Sequence, residues 1–184
     1  MSESTQPAHR ASSARASLGW DEGLGSVRDP LTGLFGPGYL EETLEREVSR
    51  VGRAAQPLSV LAVAVDQEGP DPERGGSAEA LRRVAELLAA NVRAEDVACR
   101  YGGRFVLVLP GAPWDVSRQR AEAIREAVKR LPPGSLGPWP ATASVGLATF
   151  PENGSTGLEL LAAALHALEQ ARAEGGDRVR TAAG

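Results

Sequence analysis

The stretch Pro57-Leu-Ser-Val-Leu-Ala-Val-Ala-Val-Asp66 constrains the fold of this chain more than any other. A strand with one wet face alternates apolar and polar residues. A nearly unbroken apolar run suits instead a central strand buried on both faces, here with a carboxylate, Asp66, at its C-terminal edge. Helical spacing recurs around it. Leu40, Leu44, Val48 and Val51 give an amphipathic helix through about Arg53, and Leu81, Val84, Leu88 and Val92 give a second, with Ser77 as its N-cap. Val116, Ile124, Val128 and Leu131 mark a third over residues 114–131, and Leu158, Leu161, Leu165 and Leu168 a fourth. Patterning alone implies an α/β domain.

A second constraint lies at residues 93–110. Apolar runs over residues 97–101 and 105–109 flank Gly102-Gly103-Arg104, a β-hairpin signal, and a helix is expected to end near Arg93. Upstream, Asp29-Pro-Leu-Thr-Gly-Leu-Phe35 reads as a turn: Asp29 and Thr32 suit side-chain-to-backbone bonds, Pro30 fixes one φ angle, and Gly33 can take φ > 0. Residues 132–140 form a turn-rich connector. Residues 141–149 form a strand, in which Gly146 permits a close backbone contact.

With 184 residues and 42% apolar content the chain can bury one ordinary core, so one domain is expected over residues 29–180, between tails at 1–28 and 181–184. The first 28 residues are rich in Ser, Ala, Gly and charge without a sustained period and are expected to form a flexible tail; Leu18, Trp20, Leu24 and Val27 are the groups that could dock. A net charge of −4 carries no basic footprint for duplex nucleic acid. A lone Cys99 excludes an internal disulfide, and no apolar run approaches the ~18 residues of a membrane span. No apolar segment of signal-peptide type opens the chain, so a cytoplasmic protein is expected, with neither nucleic acid nor membrane as partner. His9 and His166 make no cluster for zinc.

Arg93 and Asp96 in the pattern R-x-x-D, then three residues, Arg100-Tyr101-Gly102-Gly103 and Phe105-Val-Leu-Val-Leu-Pro110 together resemble the GGDEF domains, which make cyclic di-GMP from two GTP molecules. The turn at Asp29 resembles that family's D-x-L-T-G-L opening, and Ala141-Thr-Ala-Ser-Val-Gly-Leu-Ala its V-T-x-S-x-G-[VI]-A strand. The likeness covers about residues 29–180. It implies a mostly antiparallel central sheet surrounded by helices, similar to the nucleotidyl cyclase palm.

The resemblance also exposes departures. Gly102-Gly103-Arg104-Phe105 is one residue shorter than G-G-[D/E]-E-F and places a cation where the family has carboxylates. Asp66 matches an acid that in the family binds Mg²⁺, which makes it a candidate ligand for a hard cation. The loop at residues 67–76 lacks the family's Asn, Phe and Lys; Glu68 is either a replacement second acid or a solvated loop carboxylate. Arg172 keeps the charge of the family's phosphate-binding Lys, while its Arg, Asp and Tyr become Gly176, Leu165 and Glu169. Asp66, Gly102, Gly103, Arg104 and Arg172 are therefore expected to be a vestigial active site, Mg²⁺ to be unused, and the chain not to be an enzyme.

By spacing alone, Arg93 and Asp96 are a surface i,i+3 ion pair. The resemblance makes them the family's inhibitory site, which binds an intercalated dimer of cyclic di-GMP. An Arg fork can grip phosphate or the O6/N7 edge of guanine, and a carboxylate can accept from guanine N1–H and N2–H₂. Arg100, four residues beyond Asp96, is expected to brace phosphate. Ala123 occupies the place of the family's second arginine; Arg118, Arg120 or Arg125 could substitute, the alternative being a solvated basic face. The expected function is an inactive GGDEF-type receptor for cyclic di-GMP that signals to a protein partner, with ligand-dependent homodimerisation as one output. A nucleotide-independent scaffold or dimerisation module and an active diguanylate cyclase are the alternatives.

Overall fold

The computed structural model describes residues 27–66, 77–138 and 140–184. The expectations for the N-terminal tail up to residue 26, and for Glu68 and its loop at residues 67–76, lie outside the described residues. In chain order the elements are α1 Pro37–Ala54, β1 Leu58–Val65, α2 Ala78–Ala90, β2 Val97–Tyr101, β3 Arg104–Pro110, α3 Trp114–Lys129, β4 Ala143–Phe150, α4 Gly157–Ala173 and β5 Val179–Thr181.

The strands form one sheet in the order β2-β3-β1-β4-β5, with β1 in the middle. Its pairings are antiparallel except β4 with β5, which is parallel, so the mostly antiparallel α/β architecture expected from the sequence is the one observed. Every residue of β1 is buried, as an unalternating apolar run requires. Its side chains divide between two cores. Leu61, Val63 and Val65 pack with Leu81, Val84 and Leu88 of α2 and Ala121, Ile124 and Val128 of α3. Val60, Ala62 and Ala64 face the opposite layer, with Leu40, Leu44, Val48 and Val51 of α1 and Leu160, Ala164 and Leu168 of α4.

Local signals place the element ends. The Ser77 hydroxyl accepts from Ala80 N–H and caps α2. Thr156 and Glu159 form a reciprocal capping box at the start of α4. In the opening turn, Asp29 Oδ2 accepts from both the amide (2.8 Å) and the hydroxyl (2.7 Å) of Thr32, and Gly33 takes φ +73°. Gly146 meets the close contact expected of it: a Cβ there would lie 2.1 Å from Ala164 O and 2.4 Å from Leu168 N, so α4 rests directly on the backbone of β4.

Three expectations are corrected. Leu158 faces solvent at 71% exposure and Leu160 takes its place in the core, because the first turn of the helix turns Gly157, Leu160 and Leu161 inward and leaves residue 158 on the outer face. The hairpin turn is Gly102-Gly103 alone: Gly102 adopts φ +64°, as the first position of a II′ turn requires, and Arg104 already pairs with Tyr101 in the ladder. The C-terminal tail at residues 181–184 begins inside a strand, since Val179–Thr181 pairs with β4.

Candidate functional site

The R-x-x-D segment is a turn between α2 and β2, and Asp96 holds it closed. Asp96 N–H donates to Arg93 O (3.2 Å), while Asp96 Oδ2 accepts from Arg93 N–H (2.7 Å). The carboxylate thus binds the backbone of Arg93 and not its guanidinium, so the pair is not a surface ion pair. The Asp96 side chain is only 1% exposed. A buried carboxylate needs a charged partner, and Arg120, reaching across from α3, supplies it at 2.5 Å to the same Oδ2. Arg120 Nη2 also donates to Asn91 O at the end of α2 (3.4 Å).

Of the three arginines expected as substitutes, only Arg120 arrives at the motif. Arg118 lies over the Trp114 ring, 5.7 Å from its centroid. Arg125 is committed to Glu122 (2.8 Å), Glu126 (2.5 Å) and Asp177 (2.6 Å); the Glu122 bond is the largest cause raising its pKa further. The solvated basic face expected for this helix is therefore corrected at Arg120 and Arg125, whose side chains are 15% and 16% exposed. Arg100 is also placed differently: it bonds Asp29 Oδ1 (3.1 Å) and Gly102 O (3.0 Å), tying β2 to the opening turn and the hairpin, so it is not held in reserve for a phosphate. Arg93 is exposed, and no hydrogen bond or ion pair to its guanidinium is found among the described residues.

The hairpin forms a second feature. Gly102, Gly103 and Arg104 line a cleft of about 470 Å³ with Tyr101 and with Pro37 and Glu41 of α1. Arg104 pairs with Glu169 of α4 (2.6 Å), and Arg172, one turn along, reaches the same carboxylate (3.6 Å). The structure thus joins Arg104 and Arg172 through Glu169, a bridge invisible to sequence reasoning because Glu169 was seen only as a lost tyrosine.

Asp66 follows the last residue of β1, at the same end of the sheet as the hairpin, since Val63 pairs with Phe105. Its Oδ1 accepts from the Ser144 hydroxyl (2.7 Å), and its Oδ2 from the Thr142 hydroxyl (3.0 Å) and Asp177 N–H (2.8 Å). Gly176, at φ +71°, comes so close that a Cβ there would lie 2.8 Å from the Asp66 carboxyl carbon. These oxygens face protein donors. Among the described residues no group of three or more His, Cys, Asp or Glu could hold a metal ion.

The chain matches the family model described as diguanylate cyclase, GGDEF domain, over residues 26–178, and it belongs to that family. It is 31% identical to the diguanylate cyclase DgcP of Pseudomonas aeruginosa over 167 residues, which is 88% of this chain and 25% of that protein. It is 33% identical to the response regulator PleD of Caulobacter vibrioides over 161 residues, 84% of this chain and 36% of that protein. The chain therefore spans about a quarter to a third of these relatives. Among solved structures, it resembles the GGDEF domain of DgcB from Caulobacter crescentus in complex with c-di-GMP, with a TM-score of 0.74 at 23% identity over 85% of this chain and 93% of that one. It also resembles the diguanylate cyclase SiaD in complex with its activator SiaC from Pseudomonas aeruginosa, with a TM-score of 0.72 at 27% identity over 94% of this chain and 68% of that one.

These relatives correct one expectation. The chain was expected not to be an enzyme, yet the family is one of enzymes and its relatives carry the name diguanylate cyclase. The short hairpin and Arg104 do not establish loss of the catalytic motif. Among the described residues no helix is long and apolar enough to cross a membrane.

Proposed function

We propose that this GGDEF domain binds cyclic di-GMP on the face formed by Arg93, Arg120 and Asp96, and that it passes the presence of the ligand to a protein partner. The observation that carries this is the state of Arg93: an exposed guanidinium without a protein partner among the described residues, on a residue whose N–H shares Asp96 Oδ2 with the Arg120 guanidinium. Two such groups suit a ligand with two phosphodiester charges and two purine edges, because each planar fork can donate a pair of parallel bonds to phosphate or to guanine O6/N7. The binding of c-di-GMP by the structurally similar DgcB domain supports the ligand. The SiaD–SiaC complex supports a protein partner as the output.

The dinucleotide has two equivalent faces and can join two copies of the chain, so ligand-dependent dimerisation belongs to the same proposal. Binding at guanidinium groups requires no divalent cation. Binding at this face is separate from any turnover of GTP, and a cyclase that also held its product here would be regulated by it.

Calorimetric titration tests the proposal. Cyclic di-GMP should bind the wild-type chain equally well with and without EDTA, and Arg93→Ala should weaken it by about tenfold to a hundredfold. Absence of binding by a folded wild-type chain would contradict it, as would unchanged binding by the variant.

A further inference from the structure

We infer that residues 10–20 dock back on their own domain, with Trp20 seated in the groove between α1 and α4 and the segment's arginines facing Glu41 and Glu45. That groove, of about 220 Å³, is lined by Glu41, Leu44 and Glu45 of α1 and by Gly157, Leu158 and Leu161 of α4. The two helices form it by approaching closely at one point: a Cβ on Gly157 would lie 2.8 Å from Leu44 Cβ. Leu44 and Leu161 are buried, while Leu158 is 71% exposed, more than any other large apolar side chain among the described residues. A single exposed leucine is ordinary on a protein surface, but one that lines a cleft with two buried leucines offers an apolar contact. Small-molecule pockets run to about 300–1,000 Å³, so this smaller one suits a single large side chain.

The rim selects the occupant. Glu47 is the acid of α1 that holds arginines, Arg50 at 2.8 Å and Arg46 at 4.0 Å. Glu41, Glu42 and Glu45 are exposed, and no ion pair to them is found among the described residues. An apolar cleft with an acidic rim fits an apolar anchor accompanied by cations: a buried aromatic supplies most of the energy of such a contact, and the rim charges set which partner fits. Residues 10–20, Arg-Ala-Ser-Ser-Ala-Arg-Ala-Ser-Leu-Gly-Trp, carry Arg10, Arg15, Leu18 and Trp20 and no acid.

The chain also arrives at the right place. Val27 O accepts from Gly36 N–H (3.0 Å), and Gly36 is the N-cap of α1. Glu41 and Glu45 lie about 8 and 14 Å further along that helix. The seven residues from Trp20 to Val27 span up to about 24 Å, which covers the distance within one chain. Asp21 and Glu22 then fall on the Val27 side of the anchor, toward the start of α1. That helix end has a glycine N-cap without a side-chain bond and no acid in its first turn, and its partial positive charge favours acids. Acids, aromatic and arginines thus follow one another in the order of helix N-terminus, cleft and glutamates.

Trypsin cleavage of the full chain after Arg15, followed by mass spectrometry, tests the docking. Trp20→Ala and Leu158→Ser should each speed it about tenfold, since cleavage tracks the population of the undocked segment. In the Leu158→Ser chain, Trp20→Ala should add less than about twofold, because both substitutions act on one contact. Glu41→Gln with Glu45→Gln should speed cleavage about threefold, and an unchanged rate there would overturn the charge match. Equal rates in the wild type, Trp20→Ala and Leu158→Ser would overturn the docking, as would effects of the two substitutions that multiply in full. Protection that rises with protein concentration would put the segment on a second copy and overturn docking within one chain.

Discussion

Arg120 on α3 and Asp96, in the turn just before β2, share an ion pair of 2.5 Å in which the carboxylate side chain is 1% exposed and the arginine 15%. Removing one member of such a pair strands the other charge. Arg120→Ala leaves Asp96 with the Arg93 amide as its one remaining partner, and should lower unfolding free energy by about 2–3 kcal/mol. Urea denaturation measures it; a loss below about 0.5 kcal/mol would show that water replaces the arginine at no penalty.

Asp66 clasps the C-terminal turn to the end of β1 through the hydroxyls of Thr142 and Ser144 and the amide of Asp177. Asp66→Ala should therefore cost about 2–4 kcal/mol and speed hydrogen exchange at Asp177. Exchange at Asp177 as slow as in the wild type would refute the clasp.

The approach of α4 to β4 leaves no room beside Gly146. Gly146→Ala should destabilise the fold by about 3 kcal/mol or more, because the new Cβ would meet backbone and not a movable side-chain end. A variant with a wild-type melting temperature would show that α4 can shift freely on the sheet.

Much of this was legible in the sequence because it depends on short-range chemistry. The buried β1, the caps at Ser77, the Asp29–Thr32 turn and the tight contact at Gly146 each follow from a few neighbouring residues. The candidate site was legible only in part. Arg120 stood beside Arg118 and Arg125 with nothing local to separate them; what separates them is the rotation of α3 over the sheet, which turns Arg120 toward Asp96 and Arg125 toward Asp177. Glu169 was unreadable for the same reason, since its partner Arg104 is brought to it by tertiary packing.

Acid should unfold the domain through Asp29 and Asp177. Burial pushes each carboxyl up, but at Asp29 the bonds from Thr32 and the Arg100 charge outweigh it, and at Asp177 those from Lys129 and Arg125 do; both fall below the ordinary value of 3.8. A folded-state pKa below the unfolded one gives stability that is present above 3.8 and is lost as pH drops through the depressed values. Asp29→Asn should be less stable than wild type by about 1 kcal/mol at neutral pH, with the difference shrinking as the pH falls below 3.8. A pH-independent difference would exclude the ionised carboxylate as the source.

The measurement closest to the central claim is the amide NMR spectrum of the chain titrated with cyclic di-GMP, because it reports where the ligand sits. Binding on the proposed face shifts the amides of Arg93, Glu95 and Asp96 together with those around Arg120 on α3. Shifts confined to Gly102, Gly103 and the facing turn of α1, or an unchanged spectrum at saturating ligand, would contradict it.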